Sequence, residues 1–267
     1  MILRVENLGV TYKNKKTEVQ ILNDVTFNVK KNRCLGILGE SGSGKSMTCK
    51  AVMGLLDNNF KVNGNVYFNE EEILNIDENS KRKIRGKSIC IILQNPMTAF
   101  NPLFTIENQA IETFREHLDL TKKESRELAI EALSKMNLTN PESVLNKYPH
   151  ELSGGMLQRV MIGITIALKP DLIIADEPTT AIDCINQIEV INELKSMKNK
   201  LKTSMIFITH DLGVLSQIAD DVIVMHKGNV IEYGSIDKVM NSPKQKHTKY
   251  LIDTRYKLLK KFQEVLD

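Results

Sequence analysis

The chain has 267 residues, 42% hydrophobic and 26% charged, with a net charge of +3. That length allows one large domain or two small ones, and the charge is too small to argue for a nucleic-acid partner. No apolar run approaches the roughly 20 residues that cross a bilayer, so a membrane role would need other chains to span it.

Met1 to Arg4 enters a strand pattern directly, without a secretory signal, which predicts a cytosolic location. Cys34, Cys49, Cys90 and Cys184 are far apart and lack metal-site spacing. Three lie in apolar runs, so buried free thiols are expected rather than a disulfide or metal framework. The lysine clusters at Lys13 to Lys16 and Lys257 to Lys261 read as solvated surface.

Leu3 to Leu8, Val19 to Leu22, Val25 to Val29 and Asn65 to Phe68 have the short alternating character of strands, and Asn63-Gly64-Asn65 reads as a turn. Between them, Cys34 to Leu38 is a buried strand leading into Gly39-Glu40-Ser41-Gly42-Ser43-Gly44-Lys45-Ser46. A helix beginning near Met47 follows. This is the form G-x-x-x-x-G-K-S between strand and helix. Its glycines let backbone N–H groups turn toward phosphate oxygens, and the helix start adds its positive end. Lys45 is placed for the β- and γ-phosphates of a nucleotide, and the Ser46 hydroxyl for Mg²⁺.

Ser88 to Leu93 is a further strand, ending at Gln94. From about Asn95 to Pro149 the pattern is helical. Ile106, Ala110, Ile111, Phe114 and Leu118 share one face, and Thr121-Lys122-Lys123-Glu124 is a capping box with Ala129, Leu133 and Met136 inward. Asn140-Pro141 is expected to break that helix. Leu152-Ser153-Gly154-Gly155 caps another helix from Met156 to Leu168, with two glycines leaving N–H groups bare for an anion.

Leu172 to Ala175, Met205 to Ile208 and Val222 to Met225 are continuous apolar runs, as in strands buried on both faces of a parallel sheet. Lys227-Gly228-Asn229 turns a hairpin into Val230 to Tyr233. Asp176 and Glu177 emerge at the C-terminal end of their strand, where open α/β sheets bind ligands. Asp176 suits Mg²⁺ and Glu177 suits polarisation of an attacking water.

Together these motifs resemble, in order and over nearly the whole chain, the nucleotide-binding subunit of ATP-binding-cassette transporters. The resemblance implies a P-loop NTPase (RecA-like) α/β core with an antiparallel β subdomain and an α-helical insert carrying the signature motif. One ATPase domain is then expected over 1–267: core and β subdomain at 1–94 and 163–240, helical subdomain at 95–162, C-terminal tail at 241–267. Further roles follow from the resemblance alone. Tyr12 stacks on adenine. Gln94 is the Q-loop glutamine, linking Mg²⁺ to the membrane partner. Leu152 to Gly155, continued by Met156-Leu157-Gln158-Arg159, is the signature, and Ser153, Gly154 and Gly155 meet the ATP of a partner subunit. Ala181-Ile182-Asp183 is the D-loop, with Ile182 where Leu is usual. His210 is the switch histidine at the γ-phosphate.

Gln94-Asn95-Pro96-Met97-Thr98-Ala99-Phe100-Asn101-Pro102 and His247-Thr248-Lys249-Tyr250-Leu251 are similar to stretches of the peptide/nickel importer branch, the second lacking the branch's proline. That branch pairs two different ATPase chains with two transmembrane permeases and an extracytoplasmic binding protein. The implied place is peripheral, at the cytoplasmic face of the cell membrane. Peptide-type members extend further, with a cysteine-bearing tail, so the short end here favours nickel, cobalt or metal-chelate import over oligopeptide or dipeptide import. A non-transport cassette ATPase is the remote alternative, disfavoured by the single cassette and the absence of sustained heptads.

Overall fold

The computed structural model describes residues 1–14, 17–180 and 184–254. It divides into two compact units, Met1–Ile76 with Ile206–Asp267 and Asp77–Met205. In the first unit, β1 (Leu3–Lys13) and β2 (Glu18–Val29) form a long antiparallel pair. Val19 to Leu22 and Val25 to Val29 are therefore one strand. The register shift between Leu8↔Val25 and Val10↔Leu22 accommodates Asp24, whose φ is 46°. The buried face carries Leu3, Val5, Leu8, Val10, Leu22, Val25 and Phe27. Next come β3 (Cys34–Leu38), buried at every residue, and α1 (Lys45–Val52). β4 (Phe60–Phe68) and the two-residue β5 (Glu71–Glu72) complete a sheet of order β2-β1-β4-β5.

Asn63-Gly64-Asn65 is not a turn: it lies inside β4. The ladder to β1 slips between Glu6↔Asn65 and Gly9↔Asn63, leaving Asn7 and Leu8 opposite Gly64 alone. Gly64 has φ 103°, and a Cβ there would lie 2.5 Å from the Asn7 carbonyl oxygen. The same glycine that signals a turn here admits a bulge.

The second unit begins with α2 (Glu78–Ile84), β6 (Ile89–Ile92), α3 (Ile106–His117) and α4 (Lys122–Lys135). Ile106, Ala110, Ile111 and Phe114 are buried as their spacing predicts, while Leu118 is the half-buried C-cap. The Thr121–Glu124 capping box is present in both directions. Each partner satisfies an amide of the first turn, and Thr121 holds the Glu124 carboxyl below its usual range. Asn140-Pro141 does not break α4, which ends at Lys135. It starts α5 (Pro141–Leu145): Asn140 caps it in the left-handed region, and Pro141 takes the first turn, where no donor is missed.

α6 (Gly154–Ala167) has buried residues nearly all round, from Leu157 to Thr165. Gly163 lets it approach α4 closely, since a Cβ there would lie 3.0 Å from the Ala132 carbonyl oxygen. β7 (Leu172–Asp176) pairs in parallel with β6, and α7 (Cys184–Leu201) follows. Cys90, on β6, is free and buried, and burial pushes its thiol up to about 12. It stays a protonated thiol at neutral pH, as do reactive sites' inert opposites, the structural cysteines. Cys34 and Cys49 are also buried.

β8 (Ser204–Ile208) carries the chain back to the first unit, followed by α8 (Leu212–Ile218), β9 (Asp221–His226), β10 (Asn229–Ser235) and α9 (Ile236–Asn241). There β9 pairs with β3 in parallel and with β10 as an antiparallel hairpin, and β8 flanks β3 on the other side. Residues 246–254 are helical. Among the described residues, no helix is long and apolar enough to cross a membrane.

Candidate functional site

In the first unit the site grows from β3. Its fully buried Cys-Leu-Gly-Ile-Leu run fixes where the chain emerges, and the loop from Gly39 to Gly44 turns it into α1. The turn demands its glycines. A Cβ on Gly39 would lie 2.5 Å from both the Met225 carbonyl oxygen and Ser43 Oγ. Gly44 caps α1 with φ 105°, and a Cβ there would lie 2.5 Å from Leu22 Cδ2. Gly42 has φ 78° with open space around it.

Lys45 is only 6% exposed. Its Nζ donates to the Gly39 and Glu40 carbonyl oxygens at 2.8 and 2.9 Å, so the ammonium lies inside the curl of the loop. Ser43 Oγ is buried without a hydrogen-bond partner. A buried cation, an orphaned hydroxyl, bare glycine amides and a helix start make a cradle for a polyphosphate. Ser46 and Met47 follow on the first turn of α1, both half-buried.

Tyr12, near the end of β1, packs its ring against Phe60 at 5.2 Å between centroids. It is half-buried, so part of the ring surface is accessible. His210 follows β8 and is exposed. Its neighbours fix the backbone around it. Thr209 is buried, with its N–H on the Ile37 carbonyl, and Asp211 caps α8 through the amides of Gly213 and Val214.

In the second unit, Asp176 ends β7 with 5% exposure, and Glu177 turns the chain with φ 45°. A left-handed residue that is neither glycine nor asparagine is strained, and such strain gathers at working sites. Two donors meet on one oxygen of Glu177: Gln94 Nε2 at 3.2 Å and Thr180 Oγ1 at 3.1 Å. Gln94 and Glu177 are thus brought together, with Asp176 preceding Glu177 in the chain. Thr180 is the residue that sequence reasoning missed. Its signal was available, since a hydroxyl three positions after a carboxylate in a turn commonly reaches back to it.

The signature stretch lies in the same unit. Ser153 caps α6 by accepting from the Met156 amide at 3.2 Å, and Ser153 and Gly154 are exposed. Behind them Gln158 is fully buried, with Nε2 directed at the Leu93 carbonyl, 3.3 Å away, next to Gln94. Arg159 reaches the Met136 carbonyl and Glu189, each at 3.3 Å. These buried polar groups fix α6 in rotation, leaving its glycine start presented outward. Ala181-Ile182-Asp183 lies outside the described residues.

Ser153→Ala is expected to cost about 1 kcal/mol of stability, the usual worth of an N-cap, with Ser153→Asp near wild type because it caps as well. Urea unfolding of the three chains checks this; equal midpoints would remove the capping role.

Compared with known proteins, the chain matches the ABC transporter family over residues 22–180. It is 41% identical to the metal-staphylopine import system ATP-binding protein CntD of Staphylococcus aureus, over 99% of this chain and 97% of that protein. It is 39% identical to the oligopeptide transport ATP-binding protein OppD of Bacillus subtilis, over 92% of this chain and 70% of that one. Among solved structures it is similar to the dimeric ATP-binding cassette MJ0796 in a post-hydrolysis state bound to ADP and Pi. There the TM-score is 0.79 and the identity 28%, over 88% of this chain and 98% of that one.

Proposed function

This chain belongs to the ABC transporter family, in its ATP-binding, ATP-hydrolysing part, and on that premise we propose that it energises a bacterial importer of nickel, cobalt or metal–chelate complexes. The observation that carries the cargo assignment is the likeness to the metal-staphylopine import system ATP-binding protein, 41% identical over 99% of this chain, against 39% over 92% for the oligopeptide relative.

The ATP cycle is assigned residue by residue. Lys45 and the loop amides take the β- and γ-phosphates, and Tyr12 takes the adenine. Oxygen donors suit Mg²⁺, and Ser46, Asp176 and Gln94 are all oxygen donors. The ion would screen the phosphate charge. Glu177 polarises the attacking water, oriented for it by Gln94 and Thr180. His210, exposed at the end of β8, contacts the γ-phosphate.

Ser153, Gly154 and Gly155 act in trans, on the ATP of a second cassette subunit packed head to tail. The γ-phosphate then draws donors from both subunits, so the closed dimer is favoured only while that phosphate is attached. Closing and opening pass through the Gln94 region and the helical segments of 95–162 to two transmembrane permeases fed by an extracytoplasmic binding protein. The chain is thereby peripheral to the membrane, on its cytoplasmic side.

The test is uptake by the source cells with this chain intact or carrying Glu177→Gln, offered free nickel and cobalt, the same metals with chelators, and short peptides. Selective loss of metal or metal-chelate accumulation is expected. Selective loss of peptide uptake would replace the cargo and keep the ATP cycle. Unchanged uptake of every cargo would count against the importer reading.

A further inference from the structure

The ATP cycle leaves one cluster of side chains unused. His226 ends β9, His247 lies on the helical stretch 246–254, and Glu40 is in the phosphate loop, all within the first unit. The His226 and His247 rings are 3.8 Å apart between centroids and inclined at 42°. His247 Nε2 is 3.8 Å from Glu40 Oε2, too long for a hydrogen bond, and is buried without a hydrogen-bond partner. One ligand atom from each of the three residues lies within 4.8 Å of the others.

We propose that Glu40, His226 and His247 bind a divalent transition metal of the zinc, nickel or cobalt type. Two imidazoles and one carboxylate are a donor set that such ions take, leaving a fourth position for water. Bonds of about 2.0–2.1 Å to a tetrahedral ion place ligand atoms about 3.3 Å apart, so the present spacing needs only small side-chain adjustments. The ion also supplies what the cluster lacks, a partner for the buried His247 nitrogen and a reason for two imidazoles to lie so close beside a carboxylate.

The three residues come from distant parts of the chain. An ion here would staple the phosphate loop to the β9–β10 hairpin and to the C-terminal helical stretch. The Glu40 carbonyl already accepts from Lys45, so the ion would hold the same loop that holds the ammonium. The imidazole donors separate this site from the oxygen donors assigned to Mg²⁺, and its existence does not depend on the ATPase reading.

The test titrates the untagged full chain, free of nucleotide and Mg²⁺, with Co²⁺ and follows the visible d–d absorption together with the stoichiometry. One ion per chain is expected, with the strong bands of four- or five-coordinate cobalt. His226→Ala and His247→Ala should each weaken binding by at least about tenfold, since even outer-shell partners of metal ligands are worth that much. Glu40 is exposed, so Glu40→Gln tests the same loss without disturbing the fold, checked by far-UV circular dichroism. Absence of binding, or equal affinity in wild type and all three variants, would overturn the site.

Discussion

Glu177→Gln is expected to bind ATP as the wild type does while turning it over about 10²–10⁴-fold more slowly, the usual worth of a positioned general base. The carboxylate is poised, being half-buried at the end of β7, held on a strained backbone at φ 45°, with Gln94 and Thr180 both on Oε2. The amide keeps the shape and, with its oxygen placed at that position, an acceptor for both donors, but has far too little basicity to take a proton from water. Binding groups elsewhere are untouched, so the γ-phosphate stays attached and the closed, ATP-bound pair of subunits should accumulate. Steady-state ATPase of the purified transporter complex, with nucleotide occupancy measured alongside, reads both halves. Turnover within about tenfold of wild type would assign the base elsewhere.

What the sequence reveals of this molecule is what is local. The Thr121–Glu124 box and the Ile106, Ala110, Ile111, Phe114 face are set by contacts three and four residues apart, so pattern alone places them. The phosphate loop is equally legible, because its glycines answer steric demands within the loop and against β2 and β9. Ambiguity enters where one residue type serves two geometries. Gly64 supplies the positive φ of a bulge as readily as that of a turn, and Asn140-Pro141 opens a helix as readily as it closes one. Choosing between them takes the neighbouring strand or the preceding helix.

Least legible are the convergences. Gln94 and Glu177 are 83 positions apart, and only the parallel pairing of β6 with β7 delivers both to one place. The strand end points to Glu177 and the resemblance to Gln94, but the contact between them and the Thr180 hydroxyl come from the fold. Glu40, His226 and His247 show the limit more sharply. His247 stands in a stretch similar to an importer branch, yet nothing in its spacing points to His226. The two rings meet because the helical stretch 246–254 returns to the end of β9.

Lys45→Ala should lose nucleotide binding as well as turnover, which sets it apart from Glu177→Gln. A hydrogen bond to a charged group is worth about 1.5–3 kcal/mol, so each lost phosphate contact should weaken ATP binding about 10- to 150-fold. The structure adds a second cost. The ammonium donates to the Gly39 and Glu40 carbonyls within the curl of the loop, and alanine removes that donor from both, leaving Glu40 with the Ser43 amide. The loop's curvature therefore depends on Lys45 before any phosphate arrives. Lys45→Arg should not restore binding fully, because the planar guanidinium is larger than a pocket in which lysine is already 6% exposed. Equilibrium titration with a fluorescent ATP analogue, paired with urea unfolding, separates the two costs. Lost affinity at unchanged unfolding midpoint isolates the missing charge, and a lowered midpoint adds the slackened loop. Wild-type nucleotide affinity in Lys45→Ala would show that the loop binds phosphate through its amides alone and remove Lys45 from the site.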